Sequence, residues 1–406
     1  MTCLTGIRVL DLSRVFSGPW ATQMLADFGA DVIKVERPGL GDDVRYQGPR
    51  ARDAQGQETR ETSSFLSMNR GKRSITVDLT QPAGQALIRQ LAQDSDVVIE
   101  NFKAGHLRRF GLDYESLQSL NPRLVYCSIS GFGQSGPYAH LPGYDPLFQS
   151  MSGLMSVTGQ ADGAPGGGPV RVGYSVSDIT AGFYAANAIQ AALLHRERIS
   201  GQGQYIDLAL LDAQVAAMSH VAMMYLLTGQ QPQRLGNVSP ITCPWQSFRC
   251  LDGEVVIAVG NDPQFVAFCQ VLGLPHLSSD PRFLTNPLRV KHREVLIPLL
   301  AQRMAERSMQ AWYDDCEQAG VPCGPINDFE HVFADPQIQH RQLRMQLPHP
   351  TIGELPQVAN PIHFSATPVR YDRAPPLLGQ HTEEVLRERL GLDEARIAEL
   401  RREKVI

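Results

Sequence analysis

One aspartate in this sequence stands where a carboxylate could do chemistry. In "GYSVSDITAGFYAANAIQAALL", Asp178 precedes sixteen residues, 179–194, that carry no formal charge. A carboxylate at the lip of an apolar helix has two readings. It is an N-cap, accepting from the unpaired N–H groups of the first turn, or it is a nucleophile that the same N–H groups and the helix dipole keep ionised. The readings are compatible, and taken alone the position favours a cap. With an ordinary pKa of about 3.9, such a carboxylate is ionised at neutral pH and needs no general base to attack.

Basic residues recur next to the predicted strands: Arg37 after "VIKVE", Lys72 and Arg73 in "NRGKRS", and Arg108 with Arg109 after "ENFKAGHL". In open α/β sheets ligands lie beyond the carboxyl ends of strands, so Arg37 and the segment Asn101 to Arg109 can converge on one anion. The alternative is an ordinary solvated surface. Asp145 in "GYDPLF" and Asp262 in "GNDPQF" precede proline, where aspartate commonly starts a turn, and both read as structural. Tyr144 reads equally as core or ligand. The loop "SRVFSGP" has one glycine where a dinucleotide fingerprint needs three, which speaks against a nicotinamide site with Glu36 as its ribose ligand. Seven cysteines without a C-x-x-C or a Cys/His cluster point to reduced thiols in a cytoplasmic protein with no metal site.

These residues need elements to position them. At 406 residues the chain exceeds one ordinary core, and two or three domains are expected. A net charge of −5 gives no overall attraction to nucleic acid or an anionic membrane, so a polyanionic ligand must be held by local cations. "IRVLDL", "ADVIKVE", "SITVDL", "DVVIEN" and "LVYCSIS" alternate with helical stretches, which predicts an open parallel α/β domain over residues 1–205. A long apolar linking helix is expected over 206–231, buried in protein rather than in lipid. Asp252-Gly253 marks a hairpin in a smaller α+β domain over 232–328. The N-terminus shows no basic region followed by an apolar run, so no secretion signal is expected.

The phrases "GIRVLDLSRVFSGPWATQMLADFGADVIKVERPG", "NRGKRSITVDL", "DVVIENFKAG", "SGFGQSGPY", "GYDPLFQSMSG", "AGVPCGPI" and "APPLLGQHTEEVL" together resemble the class III CoA-transferases. The resemblance implies a Rossmann-like large domain with a small α+β domain, in an intertwined homodimer of two ring-like chains. It also implies that 329–406 returns to the large domain. Asp178 matches the family nucleophile, and the coenzyme A contacts carry over to Val15, Arg37 beside the adenine, Lys72, Asn101, Phe102, Arg109 and Tyr144. Coenzyme A is then a substrate, with no tightly bound cofactor, and the acceptor is a small dicarboxylate. Formyl-CoA-specific members have Gln-Ala where this chain has Phe16-Ser17, and a lysine where it has Pro142, which argues against a formyl/oxalate pair. Two alternatives remain at this level. One is an α-methylacyl-CoA racemase, although its histidine falls at Tyr144, a poor base at neutral pH. The other is a silent acyl-CoA-binding protein.

Overall fold

The computed structural model describes residues 1–406. It comprises two compact units: Met1–Leu154 with Arg171–Gln230 and His340–Ile406, and Met155–Val170 with Gln231–Gln339.

The first unit is built on a six-stranded parallel sheet. Its strands are β1 (Arg8–Asp11), β2 (Asp31–Glu36), β5 (Lys72–Thr76), β6 (Val97–Glu100), β7 (Val125–Ser130) and β8 (Tyr205–Ala209), with a separate hairpin of β3 (Arg50–Arg52) and β4 (Glu58–Thr62) between β2 and β5. The order is β5-β2-β1-β6-β7-β8, so the first three strands run outward from β1 on one side and the next three on the other. The crevice where this order reverses, between β1 and β6, is where doubly wound sheets bind their ligands. Both faces are covered: successive residues Val9 and Leu10, and Val97 and Val98, enter two different apolar clusters. That double burial is why these strands read as continuous apolar runs.

Two helices on one face decide where Asp178 lies. Ser17–Asp27 follows β1, and Val176–His195 packs against it. Their crossing is close at Gly182, where a Cβ would come within 2.8 Å of the Ser17 carbonyl oxygen and 2.9 Å of Trp20 Cδ1. Glycine there lets the second turn of one helix rest on the first turn of the other.

The expected linking helix over 206–231 is not one helix. Residues Tyr205–Ala209 form β8 beside β7, and the remainder is two helices, Leu210–Ala217 and Ser219–Thr228, bent by 76°. Short apolar runs look alike in a buried strand and a buried helix, and pairing with β7 decides between them. No single helix is long and apolar enough to cross a membrane.

In the second unit, β9 (Trp245–Arg249), β10 (Glu254–Ala258) and β11 (Cys323–Pro325) form an antiparallel sheet, with Asp252-Gly253 turning between the first two. Its core gathers Phe248, Val255, Ile257, Phe268, Leu300 and Trp312. Asp262 is a structural acid here, accepting from Arg289 Nη2 at 2.8 Å and from the Asn286 amide at 3.1 Å. The chain from His340 makes a hairpin of β12 (Arg344–His349) and β13 (Gly353–Val358) and then covers the β5 edge. Gly379 N donates to Ser74 Oγ at 2.9 Å, and Thr76 N to Thr382 Oγ1 at 3.0 Å, so the sheet edge presents few free donors.

Candidate active site at the sheet switch point

β1 ends at Asp11, and residues 12–16 form the loop that leads into Ser17–Asp27. Its main chain is held by side chains from other elements. Asp11 Oδ1 accepts from Ser13 N at 2.9 Å, and Lys34 Nζ donates to Ser13 O at 3.0 Å. The Asn101 amide clasps Arg14 from both sides, accepting from its N at 2.8 Å and donating to its O at 2.6 Å. Val15 N donates to Asp42 Oδ1 at 3.1 Å. Asn101 therefore shapes the loop through Arg14, and Val15 lies in the segment so fixed.

Phe102, one residue beyond Asn101, carries the Arg14 guanidinium 4.7 Å from its ring centre and stacks on His106 at 5.4 Å. Arg109 Nη2 lies 3.0 Å from His106 Nε2. Partial burial and the cations Arg109, Arg14 and Lys103 together hold His106 below its ordinary pKa. Across the crevice Arg37 Nη2 donates to Asp43 Oδ1 at 2.5 Å, and Arg14 lies 3.5 Å from the same carboxylate. The structure thus gathers Val15, Asn101, Phe102, Arg109 and Arg37 around β1, β2 and β6. Arg14 and His106 join them, and sequence reading missed both. A further arginine in a loop after a strand was the available signal for Arg14.

One expected contact lies elsewhere. Lys72 has no exposed side-chain surface and spends its three donors inside, on Asp11 Oδ2 at 3.2 Å, Pro19 O at 2.9 Å and Asn69 Oδ1 at 2.8 Å. Its side chain braces the first loop from beneath and has no face toward a ligand, which corrects its expected place as a direct contact. Burial, against the pull of Asp11, brings its pKa down to about 7. Tyr144 is 73% exposed and directly precedes the helix Asp145–Met151.

Asp178 is not the cap of its helix. The helix starts at Val176, so Asp178 is its third residue, and no side chain on Ser175 caps it. The first-turn donors are used by others: Ser177 N donates to Asp145 Oδ1 at 2.8 Å, Val176 N to Tyr174 O at 2.8 Å, and Ile179 N to Ser175 O at 3.0 Å. Asp145, fixed also by Gln149 Nε2 at 2.6 Å, caps the helix from a separate element. Asp178 is 9% exposed, and the Ser17 side chain, at the start of the helix that follows the first loop, favours its ionised form. Burial first, then the charge of Asp145, push its pKa up to about 7, with Ser17 opposing. First-turn N–H groups therefore do not hold Asp178 ionised as the sequence led us to expect. Near pH 7 it is divided between its two forms, and its carboxylate is more basic than an exposed one, which strengthens a nucleophile.

A buried carboxylate thus lies on the helix packed against the one that follows the first loop, at a switch point where Arg14, Arg37 and Arg109 gather from three segments. The chain matches CoA-transferase family III over residues 4–382. The succinate–glutarate CoA-transferase of Agrobacterium fabrum is 48% identical over 385 residues, covering 95% of each chain. The human succinyl-CoA:glutarate CoA-transferase is 42% identical over 397 residues, 98% of this chain and 88% of that one. The crystal structure of a CAIB/BAIF family protein from Brucella suis matches with a TM-score of 0.86 at 42% identity, covering 96% of this chain and 99% of that one. The chain belongs to CoA-transferase family III. It is a class III CoA-transferase, an enzyme that passes coenzyme A from an acyl-CoA to a carboxylate.

Proposed function

We propose that the enzyme moves coenzyme A from succinyl-CoA to a short dicarboxylate, glutarate being the first acceptor to test, through covalent intermediates on Asp178. The observation that carries this reading is the burial of Asp178 next to the Asp145-capped helix start, which makes it a basic carboxylate on the helix packed against the one that follows the loop bearing Val15. The substrates are those named for the similar enzymes of Agrobacterium fabrum and Homo sapiens. In this reading the Asp178 carboxylate attacks the thioester carbonyl and expels the coenzyme A thiolate, leaving a mixed anhydride. The thiolate attacks the Asp178 acyl carbon, releases succinate and forms an aspartyl thioester. The acceptor carboxylate then attacks that carbon and again expels the thiolate. Attack of the thiolate on the acceptor's acyl carbon frees Asp178 and the new acyl-CoA. Val15, Arg37, Asn101, Phe102, Arg109 and Tyr144 hold coenzyme A, which binds as a substrate with no resident cofactor. Burial of Asp178 keeps water from the anhydride.

The same reading includes an interlocked homodimer in the cytoplasm. The helix Ser219–Thr228 buries none of its residues in the chain, with Leu226 72% and Leu227 77% exposed, and Phe183, Tyr184 and Leu194 are exposed as well. Apolar surface of this extent marks a protein interface. All seven cysteines are free thiols. The test is intact mass and peptide mapping after mixing with succinyl-CoA. A coenzyme A adduct on the Asp178 peptide is expected, discharged by glutarate; coenzyme A binding with no adduct on any peptide overturns the covalent route.

A further inference from the structure

The first loop is held in a conformation that its own sequence disfavours. Val15 has φ of +67°. A β-branched residue in that region is an outlier, and such backbone persists only where its surroundings over-determine it, commonly at ligand sites. Here the surroundings are buried polar groups. From Ser13 N through Ser13 O, Arg14 N and Arg14 O to Val15 N, each main-chain group has a side-chain partner: Asp11, Lys34, Asn101 twice, and Asp42.

Asp42 is the member that touches Val15. It is 1% exposed, its Oδ1 also accepts from Val44 N at 3.2 Å, and its Oδ2 accepts from Lys34 Nζ at 2.8 Å. Lys34 lies in β2 with no exposed side-chain surface, so its head is fixed by the sheet. A buried ion pair of this kind is a weak source of stability, and its clearest use is to specify geometry.

We infer that Asp42, anchored by Lys34, is a positioning residue that presets the first loop to receive coenzyme A. The inference rests on the reading that this loop binds coenzyme A. Without the Asp42 bond Val15 relaxes to negative φ, and coenzyme A must then select a minor loop conformation, which weakens apparent affinity in proportion to its scarcity. Asp178 is held by other elements, so the chemical step is affected far less than binding.

Calorimetric titration of the full chain with coenzyme A tests this, alongside turnover with succinyl-CoA. The variants are Asp42→Asn, Asp42→Glu, Val15→Gly and Asp42→Asn with Val15→Gly. Asp42→Glu keeps a carboxylate for Lys34 while displacing the bond to Val15, which guards against failure to fold. We expect Kd and KM to rise by about tenfold or more in both single Asp42 variants while kcat changes by less than about threefold. Val15→Gly alone loses the valine's own contact and serves as the reference for the double variant. Asp42→Asn costs far less affinity in the Val15→Gly background than in the wild type, because glycine adopts positive φ without strain. Affinity within about twofold of wild type in both Asp42 variants, or an equal loss from Asp42→Asn in the two backgrounds, overturns the inference. Hydrogen exchange on the wild type separates the two readings. Slowed exchange over residues 12–17 on adding coenzyme A is expected; its absence overturns the loop-binding reading itself, whereas slowed exchange with unchanged variant affinities overturns only the role of Asp42.

Discussion

Replacing Asp178 should stabilise the protein above neutral pH. The pKa of Asp178 is raised from 3.8 to about 7, so the folded state binds this proton more tightly than the unfolded chain. The sign follows directly: below the unfolded pKa both states are protonated and folding loses nothing, whereas above the folded pKa the buried charge is carried in full. Across that shift of about 3 units, at about 1.4 kcal/mol each, the destabilisation reaches about 4 kcal/mol at pH 8 and about 1 kcal/mol at pH 4.5. Asp178→Asn nearly preserves the side chain's shape and stays neutral, so it lifts this load. For a chain of this size the gain corresponds to a rise in Tm of about 5 °C at pH 8 and about 1 °C at pH 4.5. Thermal melts of both proteins at equal concentration and at the two pH values, read by tryptophan fluorescence, measure it. A variant no more stable than wild type at pH 8, or a gap that does not narrow on acidification, would refute the reasoning that Asp178 is a buried, raised carboxylate. Loss of turnover in the same variant marks the residue as functional at the expense of stability.

Further outcomes follow from the same geometry. The kcat/KM for succinyl-CoA should fall tenfold per pH unit below about 7 as Asp178 is protonated, and a profile flat to pH 5 contradicts this. Asp145→Asn keeps an acceptor for Ser177 N but removes the neighbouring charge, so the acid limb of that profile should move to lower pH; a limb that stays in place shows that Asp145 acts only as a cap. Gly182→Ala drives a Cβ against Ser17 O and Trp20, and should cost roughly 1–3 kcal/mol in denaturant titration together with activity, because it parts Asp178 from the first loop.

Much of the frame was legible before folding. "VIKVE" and "DVVIEN" are apolar because β2 and β6 are buried, and the rule that ligands lie beyond the carboxyl ends of parallel strands already put Arg37 and Asn101 to Arg109 together. Asp178 drew notice from its isolation before an uncharged run. Other features were not legible. "YIDLA" is as compatible with a helix as with β8, because its composition does not reveal that β7 offers it a free edge. Lys72 follows a loop just as Arg37 precedes one, yet one ammonium is sealed beneath the sheet's end and the other cation is exposed. Whether a side chain enters or leaves the fold at such a point depends on the partners waiting there, here Asp11 and Asn69.

The sequence by itself determined the alternation of β1, β2, β5, β6 and β7 with helices, the residue types at their ends and a lone carboxylate before an apolar helix, because these follow from local periodicity and chain order. Only the tertiary structure decided the chemical state of that carboxylate. It brought Asp145, 32 residues upstream, onto the Ser177 N–H, and packed the helix of Asp178 on the helix that begins at Ser17 through the Gly182 crossing. Charge and basicity depend on which groups lose water and which find partners, and those partners are set by distances in space that no spacing along the chain encodes.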